Sequence, residues 1–503
     1  MNAQWLIVPV LLPAVVAAVL ALVRPLALQR LLSVASCAAL VGIAGHLLAS
    51  ADSGALTVYA LGNWRPPFGI VFVLDRLSAL MLLLTALLAL PVAIAMSGGE
   101  DERGPFLHAF LHFQLMGLNG AFLTGDLFNL FVFFEVLLIA SYCLLLHGQS
   151  AGRVRAAWHY VVVNLVGSSL FLIAVALLYA MTGTLNLADL AVKLPQLHAG
   201  ERVLAHSGAL MLLVVFALKA AMFPLFLWLA PTYSNAAAPV AALFAIMTKV
   251  GIYAIVRVYP MVFGATAGEA ALDLRVWLLP PALATMACGA LAALASRRLS
   301  GIAAQLTLLS VGTILAVGAL ATTPALSASL YYLAHSTLSG ALLFLVCGLV
   351  SAQRGEALDL LKRGVTMHQS QLTAILFLFA AVAVTGIPPM SGFMGKTMLL
   401  QGSASASDAV AAWIWSFVLV TSFVAILALM RGGIVVFWMA RSSQRTSDTA
   451  PVPLIAAALG MVAFVMALAT LAGPIKGFTD ATALQMTDTH AYVRAVFAVG
   501  GRP

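Results

Sequence analysis

Apolar residues run along this chain in long blocks separated by short polar stretches. The pattern shows neither the strict alternation of a half-buried strand nor the narrow stripe of a soluble amphipathic helix. A block of about 20 apolar residues is long enough for a helix to cross a hydrocarbon layer about 30 Å thick. Such blocks lie at 4–23, 27–48, 71–96, 106–124, 127–147, 156–181, 207–231, 236–259, 272–295, 300–320, 326–350, 371–401, 408–438 and 453–472, predicting fourteen spanning helices. Two of them cannot be regular. In the seventh, Pro224 removes a backbone donor and clashes with the preceding turn; in the twelfth, Pro388 and Pro389 stand among Gly386, Gly392 and Gly395. Both should consist of half-helices meeting at a break.

Three pieces do not span. Residues 49–70 form a loop whose flanks, Val58 and Tyr59 against Ile70 and Phe72, can pair as a hairpin. Leu185 to Leu197 alternates at helical spacing and reads as an interfacial helix. Residues 473–503 read as a tail lying on a neighbour or on the membrane surface.

Composition makes this a membrane protein: 63% of the 503 residues are hydrophobic and only 8% charged, which no soluble domain of this size matches. Because lipid forbids unsatisfied backbone, the fold class is all-α polytopic. The first block has Pro13 inside it and its first basic residue, Arg24, after it, so it reads as a retained helix and not a cleaved signal. No soluble catalytic domain fits anywhere.

The net charge of +8 does not indicate nucleic acid, since the basic residues are scattered among loops. They report orientation instead. Loops after odd-numbered spans hold Arg24, Arg30, Arg103, Arg153, Arg155, Arg297, Arg298, Arg354, Lys362, Arg363, Arg441 and Arg445. The other side carries chiefly Arg65, Lys193, Arg202, Arg275, Lys476 and Arg494. The positive-inside rule then places both termini outside, in the periplasm of a Gram-negative cell. Cys37, Cys143, Cys288 and Cys347 lie in apolar blocks without metal or redox spacing and read as packing residues, so neither a metal nor a cofactor is expected.

Against this background four charges stand out. Glu135 lies about nine residues into the fifth span, some 13 Å from its start and near mid-membrane. Lys219, Lys249 and Lys396 are similarly deep in the seventh, eighth and twelfth spans. An ionisable group there costs about 3 kcal/mol unless paired or hydrated, so a functional role is the default. Burial weakens a lysine's preference for its charged form and lets it accept and release protons. A carboxylate facing Lys219 stabilises its ammonium, and separating the two should push the proton to the next site. His335 is the plausible relay between Lys249 and Lys396, because imidazole passes protons near neutral pH. His108, His112 and His159 stand near span ends and read as mostly interfacial, while Asp75 and Asp126 sit where a carboxylate caps a helix. Together these groups offer a route for moving protons sideways between two half-channels with no covalent catalysis.

The stretches TGDLFNLFVFFEVLLIASY, ALKAAMFPLFLWLAPTYSNAAAPVAALFAIMTKVGIYAIVR and TGIPPMSGFMGK resemble the proton-translocating antiporter-like subunits shared by respiratory complex I and Mrp-type cation/proton antiporters. The resemblance covers about residues 60–440. It implies two inverted five-helix repeats, a glutamate on the fifth helix paired with a lysine on the seventh, a central lysine on the eighth and a terminal lysine on the twelfth. Glu135, Lys219, Lys249 and Lys396 match those positions. Many relatives carry a lysine in the eleventh helix where this chain has Ser339 beside His335.

The implied layout is an N-terminal region 1–105, repeats at 106–262 and 263–440, and a C-terminal part 441–503. The forms GNWRPPFGIVFVLDRLSALML, GDLFNLFVFFE and LYAMTGTLNLADLA are most similar to the D-type branch of Mrp antiporter subunits. The expectation is therefore a non-enzymatic integral subunit of a multi-subunit antiporter in the bacterial inner membrane, exchanging protons for Na+ or K+ alongside its partner subunits. A proton-pumping module of a respiratory dehydrogenase or hydrogenase, and a non-conducting scaffold, are the rival readings.

Overall fold

The structure, a computed structural model, describes residues 3–439, 441–445 and 448–499. The first helices are α1 (Val8–Leu22), α2 (Leu26–Asp52), α3 (Arg76–Met96), α4 (Leu107–Leu123), α5 (Leu127–Leu146) and α6 (Ala151–Thr182). The short α7 (Leu187–Lys193) follows, then α8 (Ala199–Ala220), α9 (Leu229–Asn235), α10 (Ala238–Phe244) and α11 (Met247–Val262). Beyond them come α12 (Leu274–Ala295), α13 (Leu299–Gly318), α14 (Thr323–Gln353), α15 (Ser370–Thr385), α16 (Ser391–Ser403) and α17 (Asp408–Gly433). The chain ends with α18 (Val452–Thr470), α19 (Ala472–Thr487) and α20 (Thr489–Ala498).

Among the described residues, twelve helical stretches are long and apolar enough to cross a membrane, α10 with α11 counting as one. The seventeen-residue α4 and the interrupted α15/α16 segment occupy the two remaining predicted blocks. The protein is thus a multi-pass membrane protein.

The two predicted breaks are present. Helix α8 stops at Ala221 in a left-handed conformation, and the carbonyl of Leu218 in its last turn takes a hydrogen bond from Trp228 Nε1 at 3.2 Å. Helix α15 stops at Gly386, with φ of 78°, a conformation glycine adopts without Cβ strain. A third interruption, at Ala245–Ile246 between α10 and α11, has no proline to announce it; there the freed carbonyl of Phe244 accepts from Tyr233 Oη at 2.7 Å.

The centre is formed by few helices. The Ala238–Val262 span is wholly buried and α13 and α14 nearly so, at 89%, whereas only 22% of the Asp408–Trp438 span is covered. Lys249 and His335 therefore sit on helices that the rest of the chain encloses.

The face bearing both chain ends is covered by a lid. Strands β1 (Thr57–Ala60) and β2 (Val71–Leu74) pair antiparallel, Tyr59 opposite Phe72, as the hairpin expectation required. Val71–Leu74, expected to begin a spanning helix, is instead a strand, and α3 begins at Arg76 behind the N-cap carboxylate of Asp75. The Leu185–Leu197 segment is helical, but Leu187 to Ala191 are buried, so it rests on the protein and not on the membrane surface. The tail is helical to Ala498, with α20 packed against α7 and β1. On the opposite face a short parallel pair joins β3 (Val365–Thr366) to β4 (Arg441–Arg445), whose arginine side chains lie outside the described residues, as do residues 500–503.

Candidate proton path

Helix α6 joins the first two charges. Glu135, on α5, accepts a hydrogen bond from Ser168 Oγ, and one turn earlier on α6 the amide Oδ1 of Asn164 accepts from Lys219 Nζ at 3.3 Å. The expected contact between glutamate and lysine is therefore indirect: Glu135 and Lys219 act on each other electrostatically, with Ser168 and Asn164 between them. An i, i+4 pair of polar residues in an apolar helix was a signal available in the sequence.

Helix α8, bearing Lys219, and α11, bearing Lys249, approach closely. At Gly251 a Cβ would stand 2.5 Å from the backbone nitrogen of Ala220, so the helices touch only because glycine is there. A cavity of about 20 Å³ lies against Lys219, lined also by Asn164, Trp228, Met247 and Val250. That is room for one water molecule, which needs roughly 10–15 Å³.

Lys249 is fully buried, and its Nζ donates to Ser310 Oγ of α13 at 2.9 Å. Ser310 in turn donates to the carbonyl of Thr307. A second cavity of about 20 Å³ opens beside Ser310 and is lined by His335, Ser336, Ser339 and Lys396. His335 Nδ1 is 2.9 Å from Ser391 Oγ at the start of α16, and its Nε2 is 3.4 Å from Ser339 Oγ. Lys396 ends the series: its Nζ donates to the carbonyl of Thr385, freed by the break at Gly386, at 2.6 Å and to Ser422 Oγ at 2.7 Å. Pro224, Pro388 and Pro389 thus lie at the two breaks that flank the lysines, as their spacing suggested.

Other candidates fall elsewhere. His159 is exposed on the apolar surface, away from the path. His108 and His112 are fully buried, which corrects the interfacial reading: His108 Nε2 is 3.1 Å from Asp101, which also binds Arg30, and His112 Nδ1 is 2.9 Å from the carbonyl of His108. Asp126 caps α5, accepting from Asn129 N at 2.8 Å. Asp75 caps α3 and is in addition ion-paired with Arg257 of α11, a residue the sequence reading passed over. Ser310, Ser391 and Ser422 were also missed; each is one hydroxyl among many until the fold turns it inward. The cysteines are unpaired.

On the opposite face a cavity of about 480 Å³ reaches the loop between α9 and α10. It is lined by Glu100, Arg103, Arg153, Asn235, Arg298 and Asp359 among others.

A membrane-embedded series of amines, an imidazole and hydroxyls, with small cavities between them, is a set of groups that can exchange protons. Comparison with known proteins gives the family. Residues 124–425 match the family model described as NADH:quinone oxidoreductase/Mrp antiporter, TM. The chain is 40% identical over 513 residues to the D-type subunit of a probable K(+)/H(+) antiporter of Rhizobium meliloti (strain 1021), covering 95% of this chain and 94% of the relative. It is 36% identical over 439 residues to the D-type subunit of the Na(+)/H(+) antiporter of Bacillus subtilis (strain 168), covering 86% and 87%. A chain of the Mrp complex structure from Dietzia sp. DQ12-45-1b superposes with a TM-score of 0.85 at 28% identity, covering 99% of this chain and 100% of that one. The chain belongs to the D-type family of Mrp antiporter subunits, within the antiporter-like subunits of that broader model.

Proposed function

We propose that this protein is the proton-conducting subunit of a multi-subunit monovalent cation/proton antiporter of the bacterial inner membrane. Its partners are the other antiporter subunits, and the exchange is of H+ for Na+ or K+. The observation that carries the reading is the order of groups across the bilayer plane: Glu135 and Lys219, then Lys249 with Ser310, then His335 with Ser391, then Lys396.

Protons enter from the face with the wide cavity at the α9–α10 loop and load Lys219 and Lys249. When Glu135 and Lys219 draw apart, the ammonium loses its counterion and passes its proton on. Ser310 and a water in the adjoining cavity carry it to His335, whose imidazole hands it towards Lys396. The carbonyl of Thr385 and the hydroxyl of Ser422 hold the Lys396 amine at the far end of the path. The lysines and His335 act as carriers and no bond other than N–H or O–H is made or broken.

The two breaks beside Lys219 and Lys396 support a pair of inverted repeats at 106–262 and 263–440. Both termini on the lidded face fit an outside location under the positive-inside rule.

The test is cation-induced pH change in everted vesicles from cells carrying the whole complex. Glu135→Ala and Lys219→Ala should abolish it while the complex still assembles; unchanged exchange in either variant refutes the assigned roles.

A further inference from the structure

On α11, Lys249, Tyr253 and Arg257 recur every four residues and so share one side of a buried helix. From Lys249 this line runs to the lidded face, where an unobstructed water chain would let protons escape without crossing to His335. The line is closed. Arg257 forms a fork with Asp75, Nη1 to Oδ2 and Nη2 to Oδ1 at 2.8 Å, with Nη2 also donating to Ser78 Oγ at 3.0 Å. Its Nε donates to Tyr253 Oη at 3.1 Å, and that hydroxyl donates to the carbonyl of Phe122 at 2.7 Å. The two charged side chains are 5% and 4% exposed.

Above them the lid brings in Tyr492 of α20, itself buried and within electrostatic reach of both charges. A Cβ on Gly125, whose backbone ties β2 to α7, would stand 3.0 Å from the Tyr492 hydroxyl.

A guanidinium does not give up its proton in proteins, so it cannot serve as a link in a proton chain. Here its nitrogens are all engaged, by Tyr253, Asp75 and Ser78, and Asp75 stands between β2 and α3 on the lid side. The opposite face, by contrast, is open to the 480 Å³ cavity.

We propose that the buried Arg257–Asp75 fork, covered by Tyr492, is a proton seal: it closes the lidded face above Lys249 and forces protons there to leave sideways towards His335 and Lys396. This rests on the conducting role proposed above. The seal makes Arg257 and Asp75 positioning residues for the direction of flow, since neither carries the proton.

Collapse of a preformed pH gradient in everted vesicles holding the whole complex, in choline buffer without Na+ or K+, reads the seal directly. Asp75→Asn/Arg257→Gln removes both charges together and leaves no unpaired buried charge. It should collapse the gradient several-fold faster than the unsubstituted complex, and adding Lys249→Met should restore the slow rate. An assembled double variant that is no leakier, or a leak that survives Lys249→Met, overturns the proposal.

A second measurement does not depend on that variant's folding. Thr248→Cys, buried beside Lys249, should stay unmodified in otherwise native complex when a membrane-impermeant thiol reagent is added from the lidded face. Modification from that side overturns the seal. If the unsubstituted complex shows no cation-driven proton movement, the conducting role fails; if it exchanges and the double variant is tight, only the seal fails.

Discussion

Lys249 Nζ and Ser310 Oγ meet at 2.9 Å in the most enclosed part of the bundle, an ammonium facing a hydroxyl where a carboxylate would ordinarily be expected. An amine held by a hydroxyl can hand that group a proton. A hydroxyl that accepts from Lys249 and donates to Thr307 can also be re-oriented to pass that proton on.

Ser310→Ala leaves the ammonium without its acceptor. The unmet group costs about 1–3 kcal/mol and the hydroxyl link towards the second cavity is lost, so exchange slows. Ser310→Thr keeps the hydroxyl and should exchange near the unsubstituted rate. Initial rates of cation-induced pH change, compared at equal complex content, decide between them.

Asn164 is the group through which Lys219 reaches the Glu135 side of α6. Asn164→Leu should abolish exchange as Lys219→Ala does, in complex that still assembles, because both cut one link. Exchange near the unsubstituted rate in Asn164→Leu would show that Asn164 serves packing and not the path.

His335→Gln preserves a side chain able to bond Ser391 but cannot take up and release a proton at neutral pH. The complex should assemble, with exchange reduced about a hundredfold or more, the usual scale for losing a proton-transfer group. A normal rate in this variant would mean that water alone bridges Ser310 to Lys396.

Asp101, in the loop before α4, tests a structural claim. Burial alone would raise its carboxyl, but hydrogen bonds from Arg30 and His108 outweigh it and hold the group below the usual carboxylate range. Its contribution to stability is therefore present above the unfolded value of about 3.9 and lost as pH falls through the folded one. Asp101→Ala should cost about 2 kcal/mol, between the values for exposed and fully buried pairs, because Arg30 remains partly exposed. Thermal unfolding of the purified complex measures it; exchange in molecules that assemble should persist.

The spans and both proline-marked breaks were legible because lipid demands long apolar runs and because proline and glycine interrupt helices by local sterics. The four charges were legible for the same reason, since each is conspicuous in an apolar block. What stayed hidden depends on distant chain segments meeting. Arg257 reads as a span-end arginine until Asp75, 182 positions away, is folded against it. The break at Ala245–Ile246 has no local cause in the sequence, and its freed carbonyl is held by Tyr233 from another helix. His108 and His112 were misplaced because depth along a helix can be counted from sequence, whereas the side it turns inward cannot.

Lateral transfer through the centre is tested most directly by Lys249→Met, which keeps the side chain's length and removes its amine. In everted vesicles carrying the whole complex, cation-induced pH change should disappear while the complex is present at its normal level and its gradient collapses no faster in choline buffer. Exchange at the unsubstituted rate in that variant would contradict the account, because protons would then be passing from Lys219 to Lys396 without the residue that joins them.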